Sequence, residues 1–80
     1  MNAEVVHKIL GTLDQFGALH IRKLAERARV STRTLARYIP LLEERGLVKT
    51  IRERKWRFVI ITEEGMEYLR KMEESLAILA

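Results

Sequence analysis

The chain has 80 residues, no cysteine and a formal net charge of +4, with 15 Lys and Arg against 11 Asp and Glu. A chain of this length is the size of one domain, and it buries only about 60% of its unfolded surface, so the core needs additional support. The lack of cysteine excludes disulfides and thiol sites. No apolar run approaches the ~20 residues that span a membrane, and no signal peptide is visible at Met1, so we expect a cytoplasmic protein.

The basic residues are concentrated in the middle of the chain. Residues 20–57 contain 12 Lys and Arg against 4 Asp and Glu, a net charge of +8, whereas residues 1–19 carry −1 and residues 58–80 carry −3. A basic block of this kind is typical of nucleic-acid binding. The alternative is a solvated charged surface of the type common in heat-adapted proteins.

The first predicted element is a helix over residues 2–16, with Asn2 as its N-cap and Gly17 as the residue that ends it. Its apolar face is wide for one packing partner, so we expect part of it to contact a second surface. The face consists of Val5, Val6, Ile9, Leu10, Leu13 and Phe16. Residues 18–20 follow as a short extended connector, in which His20 is a local cap or an exposed side chain.

The stretch L-A-E-R-A-R-V-S-T-R-T-L-A-R-Y, residues 24–38, holds two short helical patterns separated by a turn. The first of these predicted helices spans residues 21–28, and its small Ala25 and Ala28 let a second helix cross closely. Ser31 is placed to cap the helix that follows. This is the pattern of a helix-turn-helix, in which the second helix is presented to a DNA groove.

The pattern L-A-x-x-A-x-V-S-x-x-T-L-x-R resembles the helix-turn-helix signature of transcriptional regulators. One position departs from that signature. The residue before Val30 is usually Gly, because the chain there tends toward positive φ, and in this sequence it is Arg29. The departure bears on the conformation of the turn rather than on the motif.

The third helix is predicted from Thr32 to about Arg45, with Gly46 after it. Pro40 lies inside this segment, where a proline removes one backbone hydrogen bond and costs roughly 3 kcal/mol in a regular helix. An apolar stripe nevertheless continues across the proline, so we predict one kinked helix; the alternative is a break just before the proline. The stripe consists of Leu35, Ile39, Leu42 and Leu47.

Two strands are predicted next, over residues 47–53 and 56–61, with Arg54 and Lys55 in the turn. The second strand alternates Trp56, Phe58 and Ile60 with Arg57, Val59 and Ile61, which is the period of a sheet with one face on a core. We interpret Trp56 as a core residue; the alternative is an anchor for a partner.

A last helix is predicted over residues 63–79, capped by Thr62. Glu63 and Glu64 in its first turn are favourable against the helix dipole. The apolar residues at 69, 72, 76 and 79 have heptad spacing, but they cover under two heptads, which is too little to predict a coiled coil.

The order helix-helix-helix-strand-strand-helix resembles that of a winged helix-turn-helix domain, and the resemblance covers nearly the whole chain. Two segments resemble junctions of bacterial and archaeal winged-helix regulators, namely R-Y-I-P-L-L-E-E-R-G-L-V and I-T-E-E-G-M-E-Y-L. The resemblance is strongest to small archaeal regulators that have a dimerising terminal helix. We predict a mainly α fold with a β-hairpin wing, as one domain over residues 1–80: helix-turn-helix 21–45, wing 47–61 and C-terminal helix 63–79. The resemblance implies a sequence-specific DNA-binding homodimer that regulates transcription.

The residues expected to contact DNA lie on helix three and the wing. If Ser31 caps helix three, Arg33 and Arg37 lie opposite the apolar stripe, where each can pair with guanine. Hydroxyls at the helix N-terminus suit phosphate contacts, and the hairpin cations suit the backbone or a minor groove. The alternative for Tyr38 is a partly buried ring that packs on helix two. The alternative for the hairpin cations is that their charge keeps an edge hairpin soluble. The predicted set is Ser31, Thr32, Arg33, Thr34, Arg37, Tyr38, Arg52, Arg54, Lys55 and Arg57.

The homodimer is expected to form through the terminal helices, since the last helix continues apolar residues beyond those that reach its own core. The alternative is that residues 76–80 fray at the chain end. The predicted interface consists of Val6, Leu10, Leu69, Met72, Leu76 and Leu79.

Two other classes of function are alternatives to DNA binding. A winged helix can serve as a protein docking module, but such a module does not need a charge of +8 around helix three and the wing.

An enzyme is disfavoured because the sequence shows no carboxylate pair, no nucleophile with a base and no Gly-rich phosphate loop. His7 and His20 cannot assemble a metal set, so we expect no metal and no cofactor.

Overall fold

The computed structural model describes residues 1–79, with side chains described through residue 76, and places four helices around a three-stranded antiparallel sheet in that part of the chain. The elements are α1 (Ala3–Phe16), β1 (Leu19–His20), α2 (Ile21–Ala28), α3 (Thr32–Glu44), β2 (Val48–Glu53), β3 (Trp56–Ile61) and α4 (Glu63–Leu79). The predicted order of helices and hairpin is confirmed, and the short strand β1 is added to it. None of the helices in residues 1–79 is long and apolar enough to cross a membrane.

The ends of α1 are set by the residues that the sequence indicated. The Asn2 side chain accepts a hydrogen bond from the Val5 N–H at 3.2 Å, which satisfies one of the free donors of the first turn. Gly17 has a φ of 79° and its N–H donates to the Leu13 carbonyl at 2.8 Å. Both boundaries of the predicted helix are therefore confirmed.

The turn between α2 and α3 contains a non-glycine residue in the left-handed region. Arg29 has φ 58° and ψ 45°, and its N–H donates to the Ala25 carbonyl. The chain thus takes the positive φ for which glycine is usual, although an arginine stands there. Ser31 then caps α3, because its hydroxyl accepts from the Thr34 N–H at 3.0 Å.

Helix α3 passes through Pro40 without a break. The helix runs from Thr32 to Glu44, so the alternative of a break before the proline is wrong. Its stripe of Leu35, Ile39 and Leu42 is fully buried on both sides of the proline. Burial of large aliphatic side chains contributes roughly 1.5–3 kcal/mol each, which offsets the lost backbone hydrogen bond.

The sheet has the strand order β1-β3-β2. Residues Leu19 and His20, predicted as part of an extended connector, pair with Val59 and Phe58 of β3. Strands β2 and β3 form the wing, with Glu53 opposite Trp56. The wing loop is therefore the two-residue turn 54–55, in which Arg54 has a φ of 57°.

The buried face of the wing is opposite to the one expected for Trp56. Val59 is fully buried against the helices, so the residues that alternate with it, Trp56 and Phe58, point to the other side of the sheet. Trp56 is 49% exposed, and its assignment to the core is wrong. Both phases of β3 are apolar, so the alternation alone did not distinguish the two faces.

Helix α4 is fastened to the base of the wing through Thr62 and Gly65. The Thr62 hydroxyl donates to the Gly46 carbonyl at 2.6 Å and accepts from the Gly65 N–H at 3.0 Å, which confirms it as the cap. A Cβ on Gly65 would collide with the carbonyl oxygen of Leu47 and with Ile61. Only glycine allows this close approach of helix to strand.

One core joins the helices to the sheet, and it contains three of the residues predicted for the dimer interface. Val6, Leu10 and Leu69 are buried within the chain itself, so their side chains have no area to offer a partner. Their place at an interface is corrected to the core. Met72 is half-buried and Leu76 is 53% exposed, so these two remain accessible. The Leu79 side chain lies outside the described residues.

Candidate nucleic-acid interface

The outer face of α3 carries the two arginines that were predicted to read bases. Arg33 and Arg37 are both exposed, as are Thr32 and Ala36 on the same side, opposite the buried stripe. Two guanidinium groups one helical turn apart can each make a bidentate pair with a guanine edge. The capped end of α3 therefore presents a surface that can enter a major groove.

The hydroxyl groups at the start of α3 are partly engaged with each other. The Ser31 hydroxyl donates to the Thr34 side chain at 2.9 Å while accepting from the Thr34 N–H. Thr34 is half-buried, whereas Thr32 is exposed, as Arg33 and Arg37 are. Thr32 and the free N–H groups of the first turn are the better placed of these groups for a phosphate.

Tyr38 has a structural role in addition to its predicted contact. It is half-buried against the core, and its hydroxyl oxygen accepts a hydrogen bond from the Asn2 N–H at 3.0 Å. The Tyr38 hydroxyl thus links α3 to the residue that caps α1. The hydroxyl proton can still be donated outward.

The wing cations, Arg52, Arg54, Lys55 and Arg57, lie on the hairpin next to α3. Arg52 and Arg57 are opposite each other in register, and they line a groove against Pro40 of α3. Like charges directly opposite on a sheet repel each other. The Nε atom of Arg57 is buried and has no hydrogen-bond partner among the described residues. The wing therefore holds positive charge close to α3.

One side chain of α3 forms a hydrogen bond to the wing. Glu43, near the end of α3, accepts a hydrogen bond from the Thr50 N–H of β2 through its Oε2 atom at 3.1 Å. This bond satisfies a backbone donor at the free edge of the sheet. Glu43 lines the same groove as Arg52 and Arg57. Its carboxylate is within hydrogen-bond distance of the Thr50 amide and not of either guanidinium group.

Ion pairing differs sharply between the parts of the chain. The Lys and Arg residues of α1 and α4 all form salt bridges within their own helices, namely Lys8 with Glu4, and Arg70 and Lys71 with Glu67. In residues 29–57 the described side chains form none. The positive charge of α3 and the wing is therefore available to an external anion.

Comparison with known proteins identifies the family of the chain. A family described as winged helix-turn-helix matches residues 1–79. The chain is 41% identical over 56 residues to riboflavin kinase of Pyrococcus furiosus, a match that covers 70% of this chain and 26% of that protein. The chain thus spans about a quarter of that relative.

Several solved structures share the fold. The transcriptional regulator PcaV of Streptomyces coelicolor superposes with a TM-score of 0.87 at 22% identity, over 96% of this chain and 56% of that chain. The transcriptional regulator BldR of Sulfolobus solfataricus gives 0.82 at 28% identity, over 94% and 55%. The DNA-binding protein Sso10a-2 of the same organism gives 0.85 at 20% identity, over 98% and 81%. With the family match over residues 1–79, the chain belongs to the winged helix-turn-helix family.

Proposed function

We propose that the chain binds duplex DNA at specific sequences and acts as a regulator of transcription. The observation that carries the proposal is that α3 and the wing hold exposed cations without ion pairs among the described side chains, while the cations of α1 and α4 are paired. Such a surface attracts a polyanion. The fold shared with the transcriptional regulator BldR and the DNA-binding protein Sso10a-2 supports the same conclusion.

Each part of the interface has a distinct role in this proposal. Helix α3 enters the major groove, where Arg33 and Arg37 read base edges. Thr32 and the N-terminus of α3 contact a phosphate and set the register of the helix on the duplex. The wing cations contact the flanking backbone and the minor groove. The elements act together as one domain over residues 1–80.

We also propose a homodimer formed by α1 and α4. Leu76 is 53% exposed, and a groove between the two helices is lined by His7, Tyr68 and Met72. A second copy related by two-fold symmetry would cover these groups, and burying a Leu side chain contributes roughly 1.5–3 kcal/mol. The dimer would direct two α3 helices to half-sites about 10 bp apart or a multiple of that.

Sedimentation of the intact chain tests the dimer separately from DNA binding. We expect a dimer mass at micromolar concentration and a monomer mass for Leu76→Glu. Leu41→Glu is the matched control, because Leu41 is also an exposed leucine, at 39%, but lies on α3. A monomer mass for the intact chain would contradict the dimer and the paired half-sites.

The test of the proposed function is selection of bound sequences from a random pool of duplex DNA. Specific readout predicts enrichment of one sequence, and a dimer predicts that this sequence is an inverted repeat. A double variant, Arg33→Ala with Arg37→Ala, should bind the same pool without that enrichment. Failure of the intact chain to enrich any sequence would overturn the proposed function.

A further inference from the structure

The residue of the wing that the proposed function leaves unexplained is Trp56. It is 49% exposed at the start of β3, directly after the two-residue loop. Its side chain lies on the outer face of the sheet, away from the helices that cover Val59. A large aromatic ring that is half in water forgoes part of the stabilisation that burial gives, so its apolar area is still available to a partner.

The ring of Trp56 is held in place by the scaffold. Its centroid is 4.9 Å from that of the His20 ring, at an interplanar angle of 72°, which is an edge-to-face contact. His20 is itself fixed twice, since its backbone pairs with Phe58 and its Nδ1 atom accepts from the Arg22 N–H at 3.3 Å. The exposed indole is therefore oriented before any partner arrives, which lowers the entropy lost on binding.

The groove beside this ring is strongly basic. Strand β1 ends opposite Phe58, and β3 extends beyond the end of β1. Trp56 therefore lies where β3 is at the edge of the described sheet. There Trp56 and His20 line a groove together with the four wing cations. The one acid near the tip is Glu53, opposite Trp56 in register, so the cations outnumber it. An apolar ring surrounded by cations fits a partner that has both apolar surface and negative charge.

We propose that Trp56 packs against the sugar and base wall of the minor groove of duplex DNA while the wing cations contact the phosphates on either side. Minor grooves accept apolar side chains at their walls, and their phosphates lie close on both flanks. The charge of the groove selects DNA over an apolar protein surface as the occupant. This inference rests on the proposed function and adds a contact that the basic residues alone do not provide.

The intact chain contains its own probe for this contact, because Trp56 is its single tryptophan. We would titrate the intact chain with a short duplex that carries the sequence enriched from the random pool, and follow the indole emission and its quenching by acrylamide. The expected result is a change of emission that saturates with binding, together with reduced quenching. Emission and quenching that stay unchanged at saturating DNA would overturn the inference.

Three variants separate the ring from its surroundings. Trp56→Ala should weaken binding about tenfold, the order found for aromatic contacts to nucleic acid, with an unchanged dependence on salt. Trp56→Phe keeps a ring and should restore most of the affinity. Ile51→Ala removes another exposed apolar group, 40% exposed on the same outer face, and should bind like the intact chain.

The outcomes distinguish this inference from the proposed function. If the intact chain binds its duplex and Trp56→Ala binds equally well, the inference is overturned and the proposed function stands. If the intact chain binds no duplex, both are overturned. A protection of Trp56 that depends on protein concentration and not on DNA would show that a second copy covers it, which also overturns the inference. Thermal unfolding of each variant confirms that it is folded.

Discussion

Helices α3 and α4 both expose arginine side chains, but these arginines differ in whether they form salt bridges. On α4, Arg70 and Lys71 share the carboxylate of Glu67 at 3.5 and 3.8 Å. On α3, Arg33 and Arg37 are exposed and form no ion pair with any side chain of residues 1–76. Exposed ion pairs contribute roughly 0–1 kcal/mol, so the pairing on α4 matters less for stability than for cancelling the local field. The two helices therefore differ in the pairing of their basic residues, and the proposed function rests on this difference rather than on the number of such residues.

The side of the molecule formed by α1 and α4 differs from the side formed by α3 and the wing in what holds it in place. The α1–α4 side is fixed by buried aliphatic side chains and by the contact of Gly65 with the base of the wing. The outer face of α3 and the wing tip are solvent-facing and contribute little to the core. Substitutions on the first side should therefore change the free energy of unfolding, and substitutions on the second should change binding.

The largest effect is expected for Gly65→Ala. The added methyl group would meet the Leu47 carbonyl oxygen, and backbone cannot move aside as a flexible side chain can. Overpacking of this kind costs about 3 kcal/mol, near the upper end of the usual range. Urea denaturation of the intact chain and the variant measures the loss directly.

Gly11→Ala is the matched control for this substitution. A Cβ on Gly11, in the middle of α1, meets no atom within 4 Å, so the position has room. Alanine is a better helix former than glycine by roughly 0.8–1 kcal/mol, so this variant should be more stable than the intact chain. Equal destabilisation by the two substitutions would refute the argument from close approach.

The second prediction concerns the outer face of α3. Arg33→Ala and Arg37→Ala should each weaken binding to the preferred duplex by roughly 1–3 kcal/mol and relax preference at particular base pairs. Neither arginine is part of the core, so the free energy of unfolding should stay within about 0.5 kcal/mol of the intact value. Competition binding against duplexes with single base-pair changes measures both effects.

Arg70→Ala removes the same charge from α4, where it is paired, and should leave binding nearly unchanged. If the α3 variants lose affinity equally for all sequences, Arg33 and Arg37 contact phosphates and do not read bases. If Arg70→Ala loses as much affinity as they do, pairing does not distinguish the two regions.

The third prediction concerns the wing tip. Each phosphate contact contributes a slope of about −0.9 to the dependence of log affinity on log salt. Replacing Arg54 and Lys55 by Ala should therefore flatten the slope by roughly 1 for each contact that is lost. The double variant Arg70→Ala with Lys71→Ala removes the same number of charges from α4 and should keep the slope. An unchanged slope for the wing variant would remove the tip from the DNA contact surface.

The helices were predictable because their signals are local. Asn2, Gly17, Ser31 and Thr62 each satisfy a backbone group within a few residues, so the sequence alone indicates where a helix begins or ends. The basic block at α3 and the wing was also visible as composition. These features need no knowledge of what packs against them.

The features that were missed depend on contacts far along the chain. Strand β1 is two residues long, so it has no alternation of its own, and it exists because β3 offers it an edge. The face of Trp56 is set by which side of β3 the helices cover. The burial of Leu10 and Leu69 depends on how α1 and α4 meet, and a wide apolar face on one helix is equally consistent with an internal or an external partner.

The smallest effect is expected at the turn between α2 and α3, for Arg29→Gly. A left-handed conformation costs an L-residue roughly 1–2 kcal/mol, and Arg29 takes it with φ 58°. Glycine removes that cost but loses about 0.5–1 kcal/mol more conformational entropy on folding. The net result should be a gain between zero and about 1.5 kcal/mol in the free energy of unfolding, measured as a higher urea midpoint with an unchanged slope.

Arg29→Ala decides whether the gain comes from the backbone. Alanine removes the same positive charge from the basic block but keeps the Cβ that makes a positive φ unfavourable. If strain is the cause, this variant should show no increase in stability while Arg29→Gly does. An equal gain from both would assign the effect to relief of charge repulsion, because the cations of residues 29–57 form no ion pairs among the described side chains. The destabilisation at the turn would then come from repulsion among the basic side chains and not from the left-handed backbone of the helix-turn-helix.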